Sequence, residues 1–224
     1  MKIALQAVGS SLIGLVLFGL LLFLPAGTFN YWQAWVFIAV FTISTTGLSI
    51  YLLATNPAVL QRRMHAGPTA ETRTVQKMAS SGLFVSFAWV MVVSAFDHRF
   101  GWSPVPTAVS LAGDVLVVLG LGIGSLVVIQ NGYAAANITV EEDQKVVSTG
   151  LYGLVRHPMY MGSLIMLVGF PLALGSYWGL VFLIPIAIVL VVRVSDEEKA
   201  LNQELAGYTD YTQQVHYRLV PGVW

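Results

Sequence analysis

The chain has 224 residues, 56% of them hydrophobic and only 10% charged, and its 11 basic and 11 acidic side chains cancel to zero net charge. A mean hydropathy of +0.75 excludes an ordinary soluble domain, and the charge balance gives nucleic acid no basic surface to bind. The absence of cysteine excludes disulfides, thiolate catalysis and thiolate-held metals, and the four scattered histidines form no i, i+4 pair, so no metal is expected.

Six apolar segments follow in order, over roughly 3–24, 32–54, 78–96, 107–129, 158–174 and 177–192. Each of the first four is long enough to cross a hydrocarbon layer of about 30 Å at about 1.5 Å per residue. The first, behind a single Lys2, is long for a cleavable leader and reads as a retained membrane helix. The last two are shorter, are joined by Leu174-Gly175-Ser176-Tyr177, and contain Pro171 and Pro185, which predict kinks. They read as a tight hairpin, spanning or re-entrant, that returns the chain to the side it left. The expected fold class is all-α: a polytopic integral membrane protein with about six transmembrane segments in the lipid bilayer.

Charge sets the expected orientation. Lys2, Arg62, Arg63, Arg73, Lys77, Lys145, Arg156, Arg193, Lys199 and Arg218 fall on one side of the six segments and only Arg99 on the other. The positive-inside rule then makes both termini cytoplasmic, with Trp32, Trp35, Trp102, Tyr177 and Trp178 forming an aromatic belt near the opposite interface. On the cytoplasmic side, residues 57–66 open with a proline and mix Val59, Leu60 and Met64 with two arginines, which predicts a short helix on the membrane surface. Residues 194–206 read as a continuation of the sixth segment, a charged helix stopped by Gly207. Tyr208, Tyr211 and Val215, three or four apart, predict a tail that packs back onto the protein.

Ionisable groups beside a bilayer are costly, so their placement carries information. Arg156-His157-Pro158 opens the fifth segment with proline at the first helical position, and Tyr160 follows within the first turn. Alone, this could be an arginine snorkelling to headgroups beside a helix-capping histidine. Arg193, Glu197 and Glu198 alone could be a stop-transfer arginine with a solvated acidic face; Arg193 and Glu197, four apart, can pair. The hairpin brings the two groups to the same membrane surface, where two arginines would need an anion between them. Gly120-Leu-Gly122-Ile-Gly124 follows no strand, so helix packing explains it better than nucleotide binding. Asp97-His98-Arg99, on the far side, reads as an interfacial turn.

Gly150-Leu-Tyr152, Arg156-His157-Pro158-Met159-Tyr160-x-Gly162, Arg193-Val-x-x-Glu197-Glu198-x-x-Leu201, Gly207-Tyr208-x-x-Tyr211 and Arg218-Leu-Val-Pro221 occur in this order over the last ninety-five or so residues. Together they resemble the isoprenylcysteine carboxyl methyltransferase family, part of a wider group that includes membrane phospholipid methyltransferases. The resemblance implies a division into N-terminal transmembrane helices (1–130) and a methyltransferase-like catalytic region (131–224). It also implies S-adenosylmethionine as cofactor, held at the cytoplasmic face in a pocket closed by the C-terminal segment. Carried over by position, Gln144, Lys145, Val146, Val147 and Tyr152 would border the cofactor. His157, Pro158, Met159, Tyr160 and Glu197 would hold it, while Arg193, with Arg156, would face a lipophilic or small acceptor. A carboxylate acceptor, already nucleophilic at neutral pH, is the first expectation, since a guanidinium fork matches it. Methylation of nitrogen or sulfur on a phospholipid or small molecule is the alternative. A nicotinamide-dependent reductase of sterol-reductase type would need a longer chain and a basic cluster for a 2′-phosphate. A transporter or scaffold is the non-enzymatic alternative, and a transporter would place its ionisable groups mid-membrane.

Overall fold

In a computed structural model the chain is described over residues 2–64, 67, 70, 71, 73–134 and 144–224. Among the described residues eight α-helices occur in this order: α1 (Lys2–Ala26), α2 (Trp32–Thr55), α3 (Pro57–Met64), α4 (Thr74–Phe100), α5 (Thr107–Gln130), α6 (Pro158–Ala173), α7 (Leu183–Glu204) and α8 (Tyr208–Gln214). Short 3₁₀ turns cover Gly150–Gly153 and Trp178–Phe182. Five segments are long and apolar enough to span a membrane, and α6 is shorter, at 16 residues. Their outward faces are apolar too: Leu5, Leu12, Ile13, Ile43, Phe84, Ile184 and Ile188 are all exposed. A helix that is apolar all round belongs in lipid, and this is a multi-pass membrane protein.

The expected segments match α1, α2 and α5 to within two residues, and two details differ. The sixth segment runs on into the charged helix as expected, as one helix, α7, preceded by a 3₁₀ turn. Pro185 is the third residue of α7, where its missing N–H has no intrahelical partner to lose, so it does not break the segment. Asp97, His98 and Arg99 are the last turn of α4 rather than an interfacial loop. The expected surface helix at 57–66 is α3; its last two expected positions, His65 and Ala66, lie outside the described residues.

The most extensive helix contact is α5 against α6. Small residues permit it: a Cβ on Gly113 would collide with the backbone at Gly169 and Ala173, and one on Gly120 with Gly162 and Met166. Gly162 and Gly169 return the same contact from α6. Two antiparallel helices thus meet backbone to backbone at two points seven residues apart, the close packing that substitutes for the hydrophobic effect within lipid. Of the glycine run 120–124, only Gly120 takes part; Gly122 and Gly124 face open space. The room left by Gly162 is filled by α5.

The main core gathers Phe37, Phe87 and Phe170 mid-bundle, with Phe170 at 4.3 Å, centroid to centroid, from each of the other two. A smaller cluster fixes α3, which buries Val59 and Leu60 against Leu52 and Val128. A third seats the C-terminal tail: Leu205, Tyr208, Tyr211 and Val215 pack with Val146 and Leu201. This is the predicted return of the tail. Gly207, at φ +82°, makes the turn into α8 that a side chain would strain.

Candidate functional site

The site grows from the start of α6 and the charged end of α7. Pro158 sits at the first helical position, and His157 stands just ahead of it with no capping bond from its side chain. The imidazole instead reaches α7. Its Nε2 lies 3.3 Å from Oε1 of Glu198, which requires the proton on Nε2, and its Nδ1 lies 3.9 Å from Oε2 of Glu197. One turn into α6, the Tyr160 hydroxyl donates to Oε2 of Glu197 at 2.7 Å and accepts from Nε of Arg193 at 2.9 Å. Arg193 and Glu197 are therefore joined through Tyr160.

Arg193 is buried and turned toward α4. Its guanidinium pairs with Glu71 at 2.8 Å and donates to Ser80, whose hydroxyl donates to the same carboxylate. Alongside, Asp196 accepts from Gln76 at 2.6 Å and pairs with Arg73 at 3.0 Å. Arg156 lies 2.7 Å from Glu198, an ion pair whose N–H is poorly aligned, and donates to the carbonyl of Val215. Arg218 closes the carboxylate from the other side at 2.6 Å. Two arginines and a histidine surround this one carboxylate, so the buried anion is fully partnered, as a buried ion needs to be.

The C-terminal segment straps this cluster in place. The backbone N–H groups of Arg156 and His157 donate to the carbonyls of Tyr217 and Arg218, each at 2.9 Å. The Tyr211 hydroxyl donates to the carbonyl of Tyr152 at 2.7 Å, and Arg218 lies over the Trp224 ring.

Between α6, α7, α8 and the chain around 131–134 and 144–152 lies a cavity of about 100 Å³. It shares Asn131, Tyr133, Gln144, Lys145 and Val147 with an outer cleft. Every position expected to border or hold a cofactor lines this cavity: Gln144, Lys145, Val146, Val147, Tyr152, His157, Pro158, Met159, Tyr160 and Glu197. Arg156 lines it as well. Arg193 does not appear in the wall; its charge is engaged by Glu71. The two arginines expected to face an acceptor thus sit differently, Arg156 in the wall and Arg193 behind it. Each already has an anion inside the chain, Glu198 for Arg156 and Glu71 for Arg193, because bringing these helices together buries both arginines.

Sequence reasoning missed Glu71 and Ser80, although Glu71 is the lone acid between Thr55 and Lys77, a detail that could have marked it. Leu201, Tyr208 and Tyr211 stand in the motifs quoted above, but only the structure puts them, with Leu205, in the cavity wall. The Tyr208 hydroxyl is buried at the cavity with no hydrogen-bond partner among the described residues. Burial is the main reason the phenols are hard to ionise. Tyr152 is pushed up to about 12, with Glu197 adding to the effect and the bond from Asn131 opposing it. Tyr208 and Tyr211 are raised further, again chiefly by burial.

Fold and site define a multi-pass membrane protein with a polar, aromatic-walled cavity where two of its helices meet at one end of the bundle. Residues 109–206 match the phospholipid methyltransferase family. Probable protein-S-isoprenylcysteine O-methyltransferases of two rice subspecies, indica and japonica, are 33% identical to the chain over 118 residues, covering 48% of it and 59% of each of them. A probable 7-dehydrocholesterol reductase of Acanthamoeba polyphaga mimivirus is 30% identical over 83 residues, and a mouse Delta(14)-sterol reductase 32% over 79. These cover 36% and 34% of the chain but only 19% of either reductase. The chain thus spans about three-fifths of the rice proteins and about a fifth of the reductases. Its similarity, over less than half of the chain for the family match, is to phospholipid and isoprenylcysteine methyltransferases.

Proposed function

We propose that this protein is an S-adenosylmethionine-dependent membrane methyltransferase, with its active site at the cytoplasmic face, that methylates a carboxylate on a lipophilic or small acceptor. The observation that carries this reading is the cavity at the α6–α7 junction, walled by the ten positions that the family resemblance assigns to the cofactor.

The wall suits such a cofactor chemically. Val146, Val147, Leu201 and Leu205 offer an apolar face for a base, and Tyr152 and Tyr211 offer aromatic surface to a cation. Glu197 keeps Oε1 without a partner among the described residues, Tyr208 contributes a buried hydroxyl in the same state, and Lys145 can meet a carboxylate. The enclosed space holds only part of a nucleoside-sized ligand, and the outer cleft, which shares five of the same residues, takes the rest. Bound there, S-adenosylmethionine would supply an electrophilic methyl group for in-line transfer to an acceptor carboxylate oxygen, the C–S electron pair leaving with sulfur and no proton moving.

The chain's own residues then serve to bind, orient and dry the site. Glu197 binds the cofactor's polar groups, held in position by Tyr160, and Tyr160 is held by Arg193. Arg156 and Arg218 fix Glu198, which fixes His157. The strap over residues 156–157 keeps water out, which favours a reaction that disperses charge. Both predicted catalytic arginines thus act as positioning residues. An amine acceptor is the second reading, favoured by the match to phospholipid methyltransferases; Glu197 is then the base, since Glu198 is occupied.

Titrating purified protein in detergent with S-adenosylhomocysteine tests the reading. Saturable binding in the micromolar range is expected, weakened about tenfold or more by Glu197→Gln, in line with loss of a charge-assisted bond. Failure to bind at near-millimolar ligand overturns it.

A further inference from the structure

A second cavity, of about 250 Å³, lies between α2, α5 and α6, beside α3. Its walls carry the hydroxyls of Thr45, Ser49, Ser125 and Ser163. Each donates to the carbonyl four residues earlier in its own helix, so the helices satisfy them internally and their oxygen lone pairs remain free to accept. The same cavity is lined by Arg63 of α3.

Arg63 differs from the other arginines inside the bundle. Arg156 and Arg193 have carboxylates, and its neighbour Arg62 donates to the carbonyl of Gly132 and lies over the Tyr133 ring. The Nη1 of Arg63 is buried without a hydrogen-bond partner, and no carboxylate among the described residues pairs with it. Burial lowers its pKa, the mark of a charge removed from water without compensation. A guanidinium is held this way at a cost unless an anion joins it.

Two connections give the cavity a role. Met159, on the first turn of α6, lines both this cavity and the one assigned to the cofactor. Thr45 and Ser49 are shared with a groove between α1 and α2, walled by Leu15, Phe18 and Leu60. A polar head at Arg63 would therefore lie one side chain away from the cofactor site, with an apolar lane leading out toward lipid. Resting on the methyltransferase reading, we propose that this cavity is the acceptor subsite. Arg63 is the counter-charge for the anionic head of an amphiphilic acceptor, whose hydrocarbon tail lies between α1 and α2.

Binding of three probes to the full chain in neutral detergent tests this: dodecanoate, lysophosphatidylethanolamine and uncharged dodecanol. At least one of the two charged probes is expected to bind tenfold or more tightly than dodecanol. Preference for dodecanoate identifies a carboxylate head, and preference for the lysolipid a phosphodiester whose amine accepts the methyl group. Arg63→Gln removes the preference and Arg63→Lys keeps most of it. Ser163→Leu, which fills the cavity, weakens all three probes. Affinity for S-adenosylhomocysteine stays within twofold in every variant. The subsite is overturned if neither charged probe outbinds dodecanol, or if Arg63→Gln or Ser163→Leu binds the probes as wild type does. Should the wild type bind the preferred probe but not S-adenosylhomocysteine, the methyltransferase reading fails and the anion site stands.

Discussion

Two ends of the same helix bundle bury carboxylates in different ways. At one end, Asp97 closes α4 against the next chain segments: it accepts from the backbone N–H of Ser103 at 2.7 Å and from the hydroxyls of Ser103 and Ser176. Beside it the Tyr31 hydroxyl donates to the carbonyl of Leu174 at 2.6 Å, and the Tyr31 ring stacks on His98. Every hydrogen-bond partner named there is neutral. At the other end, Glu71 and Glu198 are matched by arginines drawn from α7, the loop before α6 and the C-terminal strap, beside Glu197 and around a cavity. Neutral donors close an end; cations gathered from distant elements hold an end open in a defined shape. The first arrangement serves the fold, and the second is the one that can bind.

The sharpest way to break the comparison is Glu198→Ala. It leaves Arg156 and His157 buried without their carboxylate, so we expect a loss of about 3–5 kcal/mol in stability and no measurable S-adenosylhomocysteine binding, read by thermal unfolding and calorimetry. A protein that melts and binds as wild type would show that this cluster is decoration. Gly162→Leu forces α6 off α5 at the turn that carries the site, with an expected cost of about 1–3 kcal/mol and weakened ligand affinity; Gly122→Leu, facing open space, should change neither.

Asp97→Asn tests the closed end. Losing its charge-assisted bonds should cost about 1–2 kcal/mol while ligand affinity holds, and a matching loss of affinity would mean the two ends are coupled. Alkaline titration sharpens the contrast further. Tyr152 titrates near 12 in the folded state against an ordinary value near 10 when unfolded, and a raised folded pKa adds stability that is fully present below pH 10. That stability is lost as pH rises from 10 through 12, so ligand affinity should fall in this window before helix content does, as circular dichroism can follow. The smallest effect concerns Asp114 on α5, whose two carboxylate oxygens are buried without a partner among the described residues. Asp114→Asn lowers that desolvation cost and should raise stability by about 1 kcal/mol, measured as an upward shift in Tm.

Much of the site was legible because it is local. Pro158 at a helix start, Tyr160 one turn later and the Glu197–Glu198 pair are sequence-adjacent features, and the ten residues placed around a cofactor share one cavity wall. What stayed hidden depends on partners far along the chain. Arg193 and Glu197 have the spacing of a direct pair, yet Glu71, more than a hundred residues away, turns the guanidinium toward α4 and Tyr160 fills the gap. Gly122 and Gly124 have the same composition cue as Gly120, and only the face turned to α6 separates them.

The sequence by itself determined that this chain is a multi-pass membrane protein, which of its stretches are long and apolar enough to span a bilayer, and where its charged motifs fall between them. Those properties follow from apolar run length and from the cost of ions near lipid, both additive along the chain. Tertiary structure decided which carboxylate pairs with which arginine, Glu198 with Arg156 and Glu71 with Arg193, and that none among the described residues pairs with Arg63. Charge pairing is a relation between positions in space, and no property of a single segment encodes it.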